Sequence, residues 1–585
     1  MRFLASIGLP GAMIPEVRSG SSAAADAAEL TVVVDERFIR IAIAGEPALH
    51  FDGGVILGPF WRAGDRRPVA SLSDAEAARA RRTAGASLID DFWGAYVAFT
   101  IDVARRDVTV IRAPFGELPC LFANTRDGIA VASDVALLVS LTGVSPVIDW
   151  TEVSRHLAIR NIVSDRTCLG GIGDLPGGSM LLTVPHLSTK PVWSPWRFAS
   201  PSAAFASVED ATTHVREAVI ESVATRADGA RVVLTLSGGL DSSIVAASLH
   251  DARIDFTPLN LTTRDRAGDE IDFAEAVAQA TGRSLVTVER DVTRIDLARS
   301  DAAYLPRPVA RAFAQESRRA ALSVADAIGS TMIFNGGGGD NLFCSLQSGS
   351  PAADVLRAIG PGRTFVAALT AMSRFATASM FEVARDAAAR AWFGKHGLLR
   401  PISADLLSDR AVADATSAPV HPWLDAPPDV PPGKAGHVRL LAFAQSFVQS
   451  FDPLDRVRIV APLLSQPLIE TCLRVPSWWW FENGHNRVVA RRAFRDDLPA
   501  RVVWRRSKGS PESFVGEVFE RYRSTLTALL LDGLLAKEGV IDRAAVEAVV
   551  RDDRPAHGTA FLRVLELADA EAWARAWQEG AVTAA

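Results

Sequence analysis

Cysteine is scarce: Cys120, Cys168, Cys344 and Cys472 are the only four in 585 residues. They are scattered and never take C-x-x-C spacing, which argues against a disulfide scaffold and against a zinc site. No apolar run reaches the length of about 18 residues that a transmembrane helix needs. A basic excess is missing too, with a formal net charge of −6 and a pI of about 6.0. That balance offers no global attraction to nucleic acid or to an anionic membrane, so neither is expected as a partner. The opening string from Met1 to Pro10 is a short apolar run broken by Gly8 and Pro10. A strand that begins the first domain is expected there rather than a signal peptide, and the cytoplasm is the expected compartment.

What is present is enough apolar material, 48% of the chain, for large cores. A chain of this length should hold two or more domains. Residues 1–195 read as strands and turns. Short β runs occur at 31–34 and 41–43, and a hairpin signal spans 94–101 and 107–111 around the turn at Arg105-Arg106. Two more strands fall at 121–123 and 129–132, with a helix expected over 75–83. Residues 196–210 are rich in Pro, Ser and Ala and are expected to form a linker. From 211 the texture changes. Helices at 211–226, 243–251, 270–281 and 312–328 alternate with strands at 231–236, 256–262, 284–289 and 331–334. Alternation of this kind predicts a parallel sheet covered on both faces. From 352 onward the pattern is mostly helical.

The most informative string is Ser237 to Ser243, Ser-Gly-Gly-Leu-Asp-Ser-Ser, between the apolar run 231–236 and a helix start. A strand, a glycine turn and a helix N-terminus present free backbone N–H groups and hydroxyls to an anion. Two glycines allow close approach of the backbone to a ligand. No lysine follows them, so the string is not a Walker A loop. A second turn, Asn335-Gly-Gly-Gly-Gly-Asp-Asn341, follows the strand at 331–334. If both strands share one sheet, Asp241 and Asp340 face one pocket. Two carboxylates with triphosphate oxygens make a good Mg²⁺ site. Residues 484–508 are the densest basic stretch. Arg487, Arg491 and Arg495 share one helical face, expected for the most part to be solvated. Lys508 stands apart, in a turn beside Gly509, and could stabilise charge on phosphate and acyl oxygens. In the run Trp478-Trp-Trp480 at least one ring is expected in the core.

These residues resemble the class B asparagine synthetase superfamily over nearly the whole chain. The synthetase part is similar at Leu236 to Ser243, in the loop ending at Asp340 and at Lys508. The first part is similar at Asp91 to Phe99, Arg112 to Gly116, Val131 to Asp134 and Leu175 to Gly178. The resemblance implies an α/β and α+β fold. An N-terminal αββα Ntn-hydrolase-like sandwich over 1–195 would precede a parallel-sheet ATP-pyrophosphatase domain over 211–585, of the adenine nucleotide α-hydrolase type, ending in a helical portion. It implies ATP and Mg²⁺ as cofactors. Ser237, Gly238, Gly239, Ser242 and Ser243 would cradle the triphosphate, Leu236 and Leu261 would line adenine and ribose, and Asn335 and Gly336 would belong to the same site. Asp241 and Asp340 would hold the metal, and Lys508 would steady the acyl-adenylate.

Three departures narrow the resemblance. The family's glutaminase needs a cysteine directly after the initiator Met, and this chain has Arg2. An inactive glutaminase-like domain is therefore expected. Where asparagine synthetases carry Glu and β-lactam synthetases Tyr, this chain has Gly337, which leaves room for a bulkier substrate. Ala461-Pro-Leu-Leu-Ser-Gln-Pro467 replaces the family's usual Pro-Phe-Leu-Asp string. With Arg487 to Phe494 and Arg505 to Gly509, it is most similar to the lasso-peptide cyclases. Those enzymes adenylate an Asp or Glu side chain of a precursor peptide and close a macrolactam on its N-terminal amine. That resemblance implies a precursor peptide as substrate, with a leader-binding protein and a cysteine protease as pathway partners. A β-lactam synthetase-like or ammonia-dependent asparagine synthetase-like ligase is the alternative, and a non-catalytic scaffold that binds peptide or nucleotide is the second.

Overall fold

The computed structural model describes residues 1–8, 30–142, 146–160, 162–184, 186–263, 270–394, 402–416, 421–449, 456–506 and 512–580. Its first part holds two six-stranded sheets. One has the order Gly173–Asp174, Leu121–Asn124, Gly128–Ala132, Arg2–Gly8, Ile39–Ala44, Thr31–Glu36. The other runs Ser188–Pro191, Ser179–Leu182, Asp107–Arg112, Val97–Asp102, Gly54–Leu57, Leu49–Phe51. Neighbouring strands are antiparallel throughout. The expected hairpin is present, with Val97 opposite Arg112 and Asp102 opposite Asp107.

Strand alternation puts Phe3, Ile39 and Ile41 of the first sheet against Val55, Phe99 and Val110 of the second, all buried. Phe3 meets Phe99 edge to face at 5.9 Å. The outer faces are buried as well. Leu4 packs on the helix Val135–Thr142, and Ile56 and Ala98 pack on the helices Asp74–Arg82 and Ser87–Asp91. Helix, sheet, sheet, helix is thus the order of layers.

Residues 196–210 are packed rather than loose. Trp196–Ala199 is a helical turn and Pro201–Ala203 a 3-10 turn. Phe205 is buried, its N–H donating to Arg474 O at 3.1 Å and its ring lying 4.2 Å from the Arg474 guanidinium.

The second part is built on five parallel strands in the order Val286–Glu289, Phe256–Thr262, Val232–Thr235, Met332–Phe334, Arg458–Val460. Val232, Val233 and Leu234 are all buried, as expected of a strand covered on both faces. The expected helices appear as Val208–Ala227, Leu240–Asp251, Ile271–Ala280 and Gln315–Ile328. The edge strand Arg458–Val460 lies in a stretch read as helical. Three residues are too few to show a period of two, and pairing with Met332–Phe334 is what makes them a strand. Of the three tryptophans at 478–480, Trp480 is fully buried against Phe343 and the other two are half-buried. Beyond residue 350, helices pack on both parts. Val564, Leu565 and Trp573 of the helix Ala560–Gln578 share a core with Leu4, Leu121 and Leu157 of the first.

Candidate nucleotide site

The strand order reverses direction at Val232–Thr235, whose neighbours are Phe256–Thr262 and Met332–Phe334. In open parallel sheets ligands bind beyond the carboxyl ends of strands at such a point. Both glycine loops leave the sheet there. In the first, Gly238 has φ +77°, and a Cβ on it would come within 2.8 Å of Phe273 Cβ. Gly239 caps the helix Leu240–Asp251 with an extended backbone. The hydroxyls fasten the turn: Gly239 N–H donates to Ser237 Oγ at 3.2 Å, and Ser237 and Ser242 Oγ lie 3.2 Å apart. Ser243 is buried and donates to Gly239 O at 2.8 Å.

The second loop is pressed against the first. A Cβ on Gly336 would lie 2.6 Å from Ser242 N, and one on Gly339 would lie 2.4 Å from Asp241 Cγ. Asn335 Oδ1 accepts from Gly337 N–H at 2.8 Å and so shapes this loop from within.

Between the loops sits a cation that the sequence reading did not place. Arg487 Nη1 lies 2.9 and 2.8 Å from the two Asp241 oxygens and 2.7 Å from Asp340 Oδ1. Burial alone would lower the Arg487 pKa, but Asp241 and Asp340 more than offset it and raise it. Arg491, a turn later, donates to Asn486 O at 2.7 Å and to Val503 O. Its own burial, with the Arg487 charge beside it, pushes it down to about 10. Arg505 pairs with Glu270 at 2.8 Å and covers the Phe273 ring at 3.8 Å. It thereby clamps the helix on which Gly238 rests.

A cavity of about 510 Å³ opens over both loops. It is bordered by Leu236, Ser237, Gly239, Asp241, Ser242, Leu261, Gly336 and Asp340 of the expected residues. Gly238, Ser243 and Asn335 stand behind that surface and hold the loops in shape. Lys508 lies outside the described residues, although Arg505 and Ser513, on either side of that gap, both border the cavity. Asn260 stands under the apolar end, where its Nδ2 donates to Leu236 O at 2.8 Å. Its buried Oδ1 has no partner among the described residues.

The expectation of a solvated basic face is corrected for Arg487 and Arg491, which border the cavity, and holds for Arg495, which is exposed; Arg505 borders the cavity as well. Arg487 precedes the helix Val488–Ala493 in a left-handed conformation, and Val488, Val489 and Ala490 are buried with it, so the start of this helix is enclosed.

Two carboxylates that reach one guanidinium nitrogen can reach one metal ion, and oxygen donors are what Mg²⁺ prefers. No cluster of three or more His, Cys, Asp or Glu side chains suited to a metal occurs among the described residues. The pair therefore fits a dication that completes its shell from substrate oxygens.

In the N-terminal part Arg2 pairs with Asp134, both contacts being 3.2 Å. The four cysteines are free and buried. Burial raises all four thiols, Cys120 and Cys168 to about 12. No helix of the described residues is long and apolar enough to cross a membrane.

Residues 63–193 match a glutamine amidotransferase domain, and residues 214–575 match asparagine synthase. The chain matches no curated protein. The second match covers more than half of the sequence and contains both glycine loops and Arg487. The chain therefore belongs to the asparagine synthase family, whose members are ATP-dependent amide ligases.

Proposed function

We propose that this protein forms a macrolactam in a precursor peptide by adenylating an Asp or Glu side chain and closing the ring on the peptide's N-terminal amine. The observation that carries the adenylation step is the convergence of Asp241 and Asp340 on one cation position beside the Ser237–Ser242 turn. The turn's N–H groups and hydroxyls would receive the triphosphate, with adenine against Leu236 and Leu261. Asp241 and Asp340 would hold Mg²⁺, which would neutralise the phosphate charge when bound.

The substrate carboxylate attacks the α-phosphorus, and the bond to pyrophosphate breaks. The amine then attacks the acyl carbon, AMP leaves, and the amine proton passes to solvent or phosphate. Lys508 would stabilise charge on the acyl oxygen and phosphate through both steps. Holding amine and acyl group in one enclosed peptide makes the second step intramolecular. Enclosure also shields the adenylate from water.

Arg2 supports a substrate that brings its own amine. A guanidinium tied to Asp134 replaces the thiol that would release ammonia from glutamine. Gly337 supports a bulky substrate, because no side chain projects from the second loop toward the cavity at that point. The protease that exposes the amine and a leader-binding protein would be its cytoplasmic partners.

The test is pyrophosphate–ATP exchange with the precursor peptide encoded beside the gene, followed by mass analysis. Exchange that needs the peptide, and a product lighter by one water, are expected. Exchange driven by aspartate and ammonia, or none with any carboxylate, would overturn the reading. Lys508→Ala should slow ring closure about a hundredfold. An unchanged rate would remove Lys508 from the site.

A further inference from the structure

A second cavity, about 300 Å³, lies at the seam between the two parts of the chain. Leu121, Val135 and His156 wall it from the N-terminal side, and Leu305, Phe313 and Phe447 from the other. Phe447, half exposed at the end of the helix Pro432–Gln449, also borders the nucleotide cavity. One residue thus borders both spaces.

The charged groups around this second cavity are already satisfied by opposite charges of the protein. Asp134 meets Arg2 at 3.2 Å and also accepts from Leu137 N–H at 3.0 Å. Asp174 is held by Arg112 at 2.9 Å and Arg307 at 2.6 Å. Arg311 pairs with Glu566 at 3.1 Å. His156 is held neutral by burial and by the nearby Arg307 and Arg311, its pKa pushed down to about 3. A charged ligand would lose its hydration here without gaining a counter-charge. An uncharged apolar group would gain from leaving water. The volume lies at the low end of ligand pockets, roughly 300–1,000 Å³, which suits a large side chain rather than a folded segment.

We propose that this cavity is a subsite for an uncharged, apolar side chain of the substrate whose carboxylate reacts in the neighbouring cavity. The inference rests on the peptide reading given above. A side chain anchored behind Phe447 fixes the peptide on the N-terminal part while its carboxylate lies over the glycine loops. Binding energy from a group remote from the chemistry then goes into positioning the reacting one. It also gives the N-terminal part a role that needs no nucleophile.

The probe is N-acetyl-L-phenylalaninamide, titrated into the full-length protein and followed by saturation-transfer NMR, with its carboxylate analogue N-acetyl-L-phenylalanine alongside. Saturable binding of the amide is expected, at least tenfold tighter than that of the carboxylate. Ala136→Trp, which fills the cavity from its N-terminal wall, should weaken amide binding at least tenfold while ATP binding is unchanged. Val309→Trp fills it from the opposite wall and should do the same if Ala136→Trp does not fold. No saturable amide binding, equal binding of the carboxylate, or binding that survives both substitutions would overturn the proposal. Amide binding that obeys these rules in a protein showing no peptide-dependent exchange would overturn the ligase reading and leave the subsite standing.

Discussion

Each part of the chain holds an arginine–aspartate contact that borders a cavity. Arg2 and Asp134 close on each other with side chains 14% and 9% exposed. Ser133 and the helix start at Leu137 also bond Asp134, at 3.0 Å each. Arg487 is as buried, at 10%, yet it spans Asp241 and an Asp340 that is 44% exposed to the cavity. The first is a nearly buried pair in the wall of the second cavity, held also by neighbouring donors. The second is a cation on two carboxylates at the mouth of a site that must accept polyanions. The same residue chemistry closes one region and leaves the other exchangeable, and what differs is access to the carboxylates.

The strongest test of that contrast is to remove the carboxylates of the open contact. Asp241→Asn and Asp340→Asn should each reduce peptide-dependent pyrophosphate exchange by more than about 10²-fold, with unchanged circular dichroism. Retained exchange in both would end the metal assignment. Next is the cation. Arg487→Ala should lower turnover and, in nucleotide-free protein, raise Mn²⁺ affinity on the order of tenfold, because a guanidinium no longer competes for the two carboxylates. Electron paramagnetic resonance of free Mn²⁺ reads this directly, and an unchanged affinity would show that the contact is not exchangeable.

For the nearly buried pair, Arg2→Cys should produce no glutamine hydrolysis and cost about 1–3 kcal/mol, since a buried carboxylate loses its charged partner. Ammonia release in a coupled assay would contradict it.

The smallest effect concerns the seam. His421 Nδ1 accepts from Trp423 N–H at 3.2 Å and its Nε2 lies 3.1 Å from Gln445 Oε1. Gln445 in turn donates to Pro114 O at 3.0 Å, on the N-terminal part. Burial pushes the imidazole down from 6.5 to about 4, with the Gln445 bond opposing that shift. Between those values the unfolded chain binds the proton and the folded one does not, so stability falls as pH drops below about 6.5 and stops changing on this account near 4. Thermal midpoints measured from pH 7 to 4 should fall less steeply in His421→Asn than in the parent. Parallel slopes would remove His421 from the effect.

Much of this site was legible in the sequence. The first glycine loop, its strand and its helix carry local signals of turn, cap and period, and Asp340 follows from a second loop of the same kind. Arg487 was not legible as a site residue, because its role depends on how the helix Val488–Ala493 lies across the sheet, a tertiary fact. The edge strand Arg458–Val460 exists through its partner rather than its own pattern. Residues 196–210 have linker composition, yet Trp196 and Phe198 pack against the core and Phe205 is buried in it.

The van der Waals contact of Gly336 and Gly339 with Ser242 and Asp241 has a mechanical meaning. At Gly336 the second loop lies against the Ser242 backbone and at Gly339 against the Asp241 side chain, each closer than a Cβ would allow, so the two glycines set the spacing between the phosphate turn and the second carboxylate. A single methyl group at either glycine would work as a wedge, prising apart two loops encoded about a hundred residues from each other.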